Sequence, residues 1–162
     1  MQKKALVVID IQNDITKNYR DVIENINKSI DWAVDNDIHV VYIRQEYLVF
    51  FIPRFRPNTY GSEFVSELKI VSNNVFTKHK ASAFSSAEFR DFIAQNEIAE
   101  FYLAGADATA CVKATCCSLL QADYDVTVLS DCITSYAKKR IDKMLQYYES
   151  QGSKIMSLED LL

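Results

Sequence analysis

At 162 residues, 49% of them hydrophobic and 25% charged, the chain has the size and composition of one globular domain that buries a full core, which excludes a disordered chain. A net charge of -4, with eighteen Lys and Arg scattered rather than clustered, gives no basic footprint for nucleic acid. The first apolar run, Ala5 to Ile9, is too short for a signal-peptide core or a membrane span, so a cytoplasmic location and no membrane partner are expected.

In chain order, short β-rich runs alternate with segments of helical pattern. ALVVI (5–9) is the first strand. Asp21 to Asp35 reads as a helix, with Val22, Ile26, Ile30, Ala33 and Val34 on one apolar stripe. IHVVYI (38–43) is the second strand, a short helix falls within 62–68, and NVFT (74–77) is the third strand. Ala87 to Gln95 is helical, EFYLAG (100–105) is the fourth strand, and Thr109 to Ala122 is the next helix. DVTVLS (125–130), a helix over 138–149, and SKIMS (153–157) complete the series. Continuous apolar strands alternating with helices predict a parallel sheet covered on both faces, with right-handed crossovers. The expected fold is therefore a single-domain, three-layer α/β/α sandwich of Rossmann type over residues 1–162, with no interdomain linker.

Ligands of such sheets bind beyond the carboxyl ends of the strands. Asp10 closes the first strand, and Arg44 and Glu46 follow the second. Lys78, His79 and Lys80 follow the third, Cys111 lies six residues past Gly105, and Asp131 and Cys132 follow the fifth strand. An acid, a base and a thiol on one rim suit thiol-based acyl transfer. Asp107 or Thr109 can cap the helix that Cys111 opens, and the free N–H groups of its first turn, with a nearby ammonium, would lower the thiol pKa. Lys78 and Lys80 compete for that ammonium, because residues two apart on an extended segment point the same way. Cys116 and Cys117 lie on other faces of the helix and read as core residues, as does Cys132. With no paired CxxC spacing and only His39 and His79, a structural zinc site is not expected.

VVIDIQND (7–14), YGSEFVSEL (60–68), TKHKASAF (77–84) and AGADATACVKATCCSLLQADYDVTVLSDCITS (104–135) together resemble, in order and spacing, the isochorismatase-like cysteine hydrolases, which include nicotinamidases and N-carbamoylsarcosine amidohydrolase. The resemblance implies a six-stranded parallel sheet in the order 3-2-1-4-5-6. It also implies a catalytic set of Asp10 as general acid/base, Lys78 as the lysine and Cys111 as the nucleophile. A non-proline cis peptide at Ala106–Asp107 would follow, with the N–H groups of Asp107 or Ala108 and of Cys111 forming an oxyanion hole. Gln12, Tyr47, Phe84 and Ala106 would meet the substrate. No cofactor is required, and a homo-oligomer is expected.

The family's metal-binding members carry an acid-and-histidine cluster after the second strand. Here RQEYLVFFIPRFRPNTYGSE (44–63) has no histidine, which argues against a metal site and against nicotinamidase. The segment holds Tyr47, Phe50, Phe51, Phe55 and Tyr60, which line either a pocket or a subunit interface. Arg44, Arg54 and Arg56 are interleaved with them, to read a carboxylate or to stand in solvent. The expected activity is cysteine-dependent hydrolysis of a small amide, carbamoyl or related acyl compound through a thioester. An isochorismatase-type vinyl ether hydrolase and a non-catalytic ligand-binding or oligomeric protein on the same scaffold remain as alternatives.

Overall fold

A computed structural model describes residues 2–16 and 19–162 of the chain. Six strands form one parallel sheet: β1 (Lys3–Ile9), β2 (His39–Gln45), β3 (Val75–Lys78), β4 (Ile98–Ala106), β5 (Asp125–Thr134) and β6 (Lys154–Met156), in the order β3-β2-β1-β4-β5-β6. The helices are α1 (Asn13–Thr16), α2 (Ile23–Asp35), α3 (Ala87–Gln95), α4 (Cys111–Gln121), α5 (Ile141–Ser150) and α6 (Leu158–Leu161).

Alternation along the strands feeds two cores. In β1, Leu6 and Val8 join Ile26, Ile30 and Ala33 of α2, while Ala5, Val7 and Ile9 join the opposite core with Phe89 and Ile93 of α3 and Val112, Cys116 and Leu119 of α4. A strand buried on both faces reads as an unbroken apolar run for this reason. The sheet reverses its order at β1, between β2 and β4, and the crevice beyond the strand ends opens there.

Several expectations change in detail. Val34 is 49% exposed, because the buried stripe of α2 runs through Ile23, Ile26, Ile30 and Ala33. The helix expected within 62–68 is a single 3-10 turn at Tyr60–Ser62, followed by an isolated bridge between Gln12 and Phe64. The strand β5 runs past residue 130 because its pairing with β4 slips: Leu103 faces Val128, but Gly105 faces Ile133. The slip carries Thr134 up beside the loop that leads into α4. Among the described residues, no helix is long and apolar enough to cross a membrane.

Candidate active site

Asp10 follows β1 with φ 56, in the left-handed region, a conformation that costs a non-glycine residue about 1–3 kcal/mol. Its N–H donates to Ile43 O at 3.1 Å, and its carboxylate is buried. Lys78 ends β3, and its Nζ lies 3.0 Å from Asp10 Oδ2 and 3.4 Å from Cys111 Sγ. The same ammonium donates to Gln45 Oε1 and, at 3.2 Å, to Lys80 O. Lys80 contributes only that carbonyl. The strand stops at Lys78, so the expectation that both lysines point the same way fails, and the Lys80 side chain is exposed. His79 is also exposed, with Nδ1 2.9 Å from Glu46 O.

Gly105 lets β4 and β1 approach at the base of the site: a Cβ there would lie 2.2 Å from Ile9 O. The Ala106–Asp107 peptide is cis. Beyond it, the Asp107 carboxylate organises the loop. Oδ1 accepts from Thr109 N at 2.8 Å and Thr109 Oγ1 at 2.9 Å, and Oδ2 accepts from the Tyr19 hydroxyl at 2.7 Å and Tyr136 N at 3.0 Å. Neither Asp107 nor Thr109 caps α4 through its side chain. Ala110 is the N-cap residue, and Asp107 acts through its carbonyl, which accepts from Ala110 N and Val112 N at 3.0 Å each. The Ala108 N–H is committed to Thr134 O at 2.9 Å, whereas the N–H groups of Asp107 and Cys111 donate to nothing among the described residues. Of the donors expected for an oxyanion, Ala108 is thereby removed.

Burial raises the Asp10 carboxyl above its ordinary range, although the Lys78 charge opposes it. Burial and then the negative charge of Asp10 push the Cys111 thiol up to about 12, against the pull of Lys78. The thiol is thus held above its ordinary range, against the expectation that the helix start and the ammonium would lower it. A proton passing from Cys111 to Asp10 would leave the net charge of the buried cluster unchanged. The second carboxylate oxygen, Asp10 Oδ1, is buried with no hydrogen-bond partner among the described residues.

Cys111, Asp10 and Asp107 line a cavity of about 410 Å³, together with Asp14, Ile15, Gln45 and residues of the aromatic stretch. Tyr47 and Phe55 of that stretch face the cavity, whereas Phe50 and Phe51 are 87% and 80% exposed. Three of the expected substrate contacts are absent from the lining. The Gln12 amide is spent on structure: Nε2 donates to Gln45 O at 2.9 Å and to Ser62 O at 2.8 Å, and Oε1 accepts from Gln45 N at 2.8 Å. Phe84 packs on Tyr124 at 6.2 Å in the core beneath α3 and α4, and Ala106 is buried in the core under α2. Tyr19 and Tyr136 are lining residues that the sequence pattern did not single out, whereas Phe55 and Arg54 belong to the stretch whose aromatics and arginines were candidates for the pocket wall.

The remaining candidates play structural parts. Asp131 accepts from Leu158 N at the start of α6, Cys132 and Cys116 are fully buried, and Cys117 is only half-buried beside the Tyr147 hydroxyl. Among the described residues, no three His, Cys, Asp or Glu side chains converge to hold a metal ion. His39 is turned onto Phe92, 5.6 Å between rings, and His79 onto Glu46 O, so the donors present do not fit a metal centre at this cavity.

Residues 4–160 match the family model described as the Isochorismatase domain. The isochorismatase family protein YddQ of Bacillus subtilis is 25% identical over 152 residues, covering 87% of this chain and 83% of that protein. An isochorismatase-like hydrolase of Alkaliphilus metalliredigens superimposes with a TM-score of 0.88 at 23% identity, over 97% of this chain and 96% of its own. The N-carbamoylsarcosine amidase of Thermoplasma acidophilum does so with 0.84 at 20% identity, over 96% of each chain.

Proposed function

The chain belongs to the isochorismatase family of hydrolases, and from that premise we propose that it is a cysteine hydrolase of a small amide, carbamoyl or related acyl compound. The observation that carries this reading is the buried contact of Lys78 Nζ with both Asp10 Oδ2, at 3.0 Å, and Cys111 Sγ, at 3.4 Å. In the proposed course, Asp10 takes the thiol proton as Cys111 Sγ attacks the carbonyl carbon, while Lys78 steadies the two anions in turn. The uncommitted N–H groups of Asp107 and Cys111 are the donors for the tetrahedral oxyanion. Asp10 passes its proton to the departing nitrogen, which leaves as ammonia or an amine, and a thioester remains on Cys111. A water molecule then gives a proton to Asp10 and its oxygen to the acyl carbon. The carboxylic acid leaves, and the proton returns to the thiolate. Asp10 Oδ1, which lacks a partner among the described residues, is suited to hold that water. No cofactor enters the scheme.

The test is ammonia release across a panel of small amides and carbamoyl compounds, with the intact protein mass read during turnover. Turnover that vanishes in Cys111→Ala, with an acyl adduct trapped on Cys111 in the unaltered chain, supports the reading. Ammonia release that survives Cys111→Ala would remove the thiol as nucleophile, and cleavage of a vinyl ether that survives the same change would favour the vinyl ether reading. A homo-oligomer in which a second copy covers Phe50 and Phe51 belongs to the same proposal, and light scattering of Phe50→Ser/Phe51→Ser against the unaltered chain checks it.

A further inference from the structure

Between Asp107 and Cys111, every backbone N–H except those of the two end residues is committed. Ala108 N donates to Thr134 O at 2.9 Å, Thr109 N to Asp107 Oδ1 at 2.8 Å, and Ala110 N to Asp107 O at 3.0 Å. The direction of the two free N–H groups therefore depends on what holds the loop between them. One tie comes from β5, through Thr134 O. The other crosses from α5, where the Tyr148 hydroxyl donates to Ala108 O, 40 residues away in the chain.

Tyr148 is the one fully buried residue of α5, and it joins Ala108, Val112 and Cys116 in the core below the start of α4. It does not line the cavity. A phenylalanine would fill the same space, and a hydroxyl in such a place needs a partner. Burial raises the Tyr148 pKa, so the group stays protonated and remains a donor. Its acceptor is the carbonyl of the peptide whose N–H belongs to Thr109. That planar unit is thus held at both ends, at the oxygen by Tyr148 and at the nitrogen by Asp107 Oδ1. Turning it would break both bonds and re-aim the Asp107 and Cys111 N–H groups on either side.

We propose that Tyr148 is a positioning residue for the oxyanion donors: its hydroxyl fixes the Ala108–Thr109 peptide so that the N–H groups of Asp107 and Cys111 converge on the oxygen of the tetrahedral adduct. This rests on the hydrolase reading of the Cys111 site. Donors fixed in advance act on charge that develops during reaction, so the loss in Tyr148→Phe falls on kcat rather than KM. Misaiming the donors is expected to cost on the order of 10-fold, less than the roughly 100- to 1,000-fold of removing one outright.

The experiment compares two reactions of Cys111 in the unaltered chain, in Tyr148→Phe and in Tyr147→Phe. Acetaldehyde adds reversibly: the S–C bond forms, the carbonyl π pair moves to oxygen, and the thiol proton passes by way of Asp10 to that oxygen, which sits where the oxyanion would. Iodoacetamide alkylates the same sulfur at a saturated carbon, with loss of iodide and the thiol proton, and draws on no oxyanion donor. Acetaldehyde affinity is read as protection of Cys111 from iodoacetamide by peptide mass mapping, and ammonia release gives kcat and KM. In Tyr148→Phe, which keeps the ring and its packing, acetaldehyde affinity and kcat should each fall about tenfold, with KM and the alkylation rate within about twofold of the unaltered chain. Tyr147→Phe, altered at the hydroxyl beside Cys117, should change none of these. Unchanged acetaldehyde affinity and kcat in Tyr148→Phe, or an equal loss in both reactions of Cys111, overturns the assignment and leaves the hydrolase standing. If no amide is hydrolysed, the hydrolase reading fails and acetaldehyde decides alone: weakening confined to acetaldehyde keeps Tyr148 as the residue that aims the donors. No protection by acetaldehyde in the unaltered chain overturns that as well.

Discussion

Lys78 Nζ and Asp10 Oδ2 meet at 3.0 Å with their side chains 0% and 1% exposed, an ion pair withdrawn from water. Taking two charges out of water costs several kcal/mol per ion, and their attraction recovers this only with good geometry and further hydrogen bonds. Lys78 has those bonds, to Gln45 Oε1 and Lys80 O, but Asp10 Oδ1 has none among the described residues. A pair built this way adds little to stability.

Removing one partner should therefore be costly and removing both should not. Lys78→Met is expected to lose about 3–5 kcal/mol in urea unfolding, because it strands Asp10, whereas Asp10→Asn/Lys78→Met should be neutral or gain about 1–4 kcal/mol and have no turnover. Asp10 has a folded pKa raised above its unfolded value, so its contribution favours folding below the unfolded pKa and is lost as pH rises through the folded one. The deficit of Lys78→Met should accordingly shrink on acidification. A double variant that unfolds as easily as Lys78→Met would contradict this account.

The thiol reports on the same pair. Burial and then the Asp10 charge hold Cys111 up at about 12, and Lys78 pulls it down. In Asp10→Asn, the pH profile of iodoacetamide labelling at Cys111 should move to lower pH, and in Lys78→Met to higher pH. Turnover should be lost in both, so that thiol reactivity and catalysis part company in Asp10→Asn. A profile that Asp10→Asn leaves in place would remove the carboxylate from contact with the thiol.

The strands and the positions of Asp10 and Cys111 were legible because each of these residues stands where an apolar run ends or a helix begins, whereas Lys78 was separated from Lys80 only by the family resemblance. The remaining cavity wall was not legible. Asp14 reaches Phe55 N across 41 residues, and the Tyr19 hydroxyl reaches Asp107 across 88, so no local spacing carries either contact. The Gln12 amide, which the family resemblance gave to the substrate, instead joins β2 to the 3-10 turn at Tyr60–Ser62. Phe84 was misplaced because its motif runs on from Lys78 while the chain crosses into the core under α3 and α4. One missed element had a readable signal: Ser157 and Asp160 form the capping box that starts α6.

Asp107 offers a test of the loop apart from the reacting groups. Burial works to raise its pKa, but the hydrogen bonds from Thr109 N, Tyr136 N and the Tyr19 hydroxyl outweigh it and hold the carboxyl below its ordinary value. A depressed carboxyl contributes stability above its unfolded pKa, and that contribution is lost as pH falls through the folded one. Asp107→Ala should cost about 1–3 kcal/mol at neutral pH, less in acid, and should lower kcat more than KM as the loop loosens. Tyr19→Phe, which removes one donor of the four, should show a smaller loss of the same kind in urea unfolding and steady-state kinetics.

Gly105 is the position where the backbone itself sets the limit. With φ +118 and Ile9 O only 2.2 Å from an added Cβ, Gly105→Ala forces β4 away from β1 at the point where Asp10 leaves the sheet. Gly152 has a comparable φ of +105 but nothing within 4 Å, so Gly152→Ala carries backbone strain alone. The expected loss in urea unfolding is about 1–2 kcal/mol for Gly152→Ala, and about 3 kcal/mol or more for Gly105→Ala, which adds overpacking against backbone that cannot yield. Gly105→Ala should also lower kcat, since parting β1 from β4 separates Asp10 from Cys111, while Gly152→Ala leaves kcat alone. Equal losses of stability in the two variants would mean that the close approach to Ile9 does not govern the site.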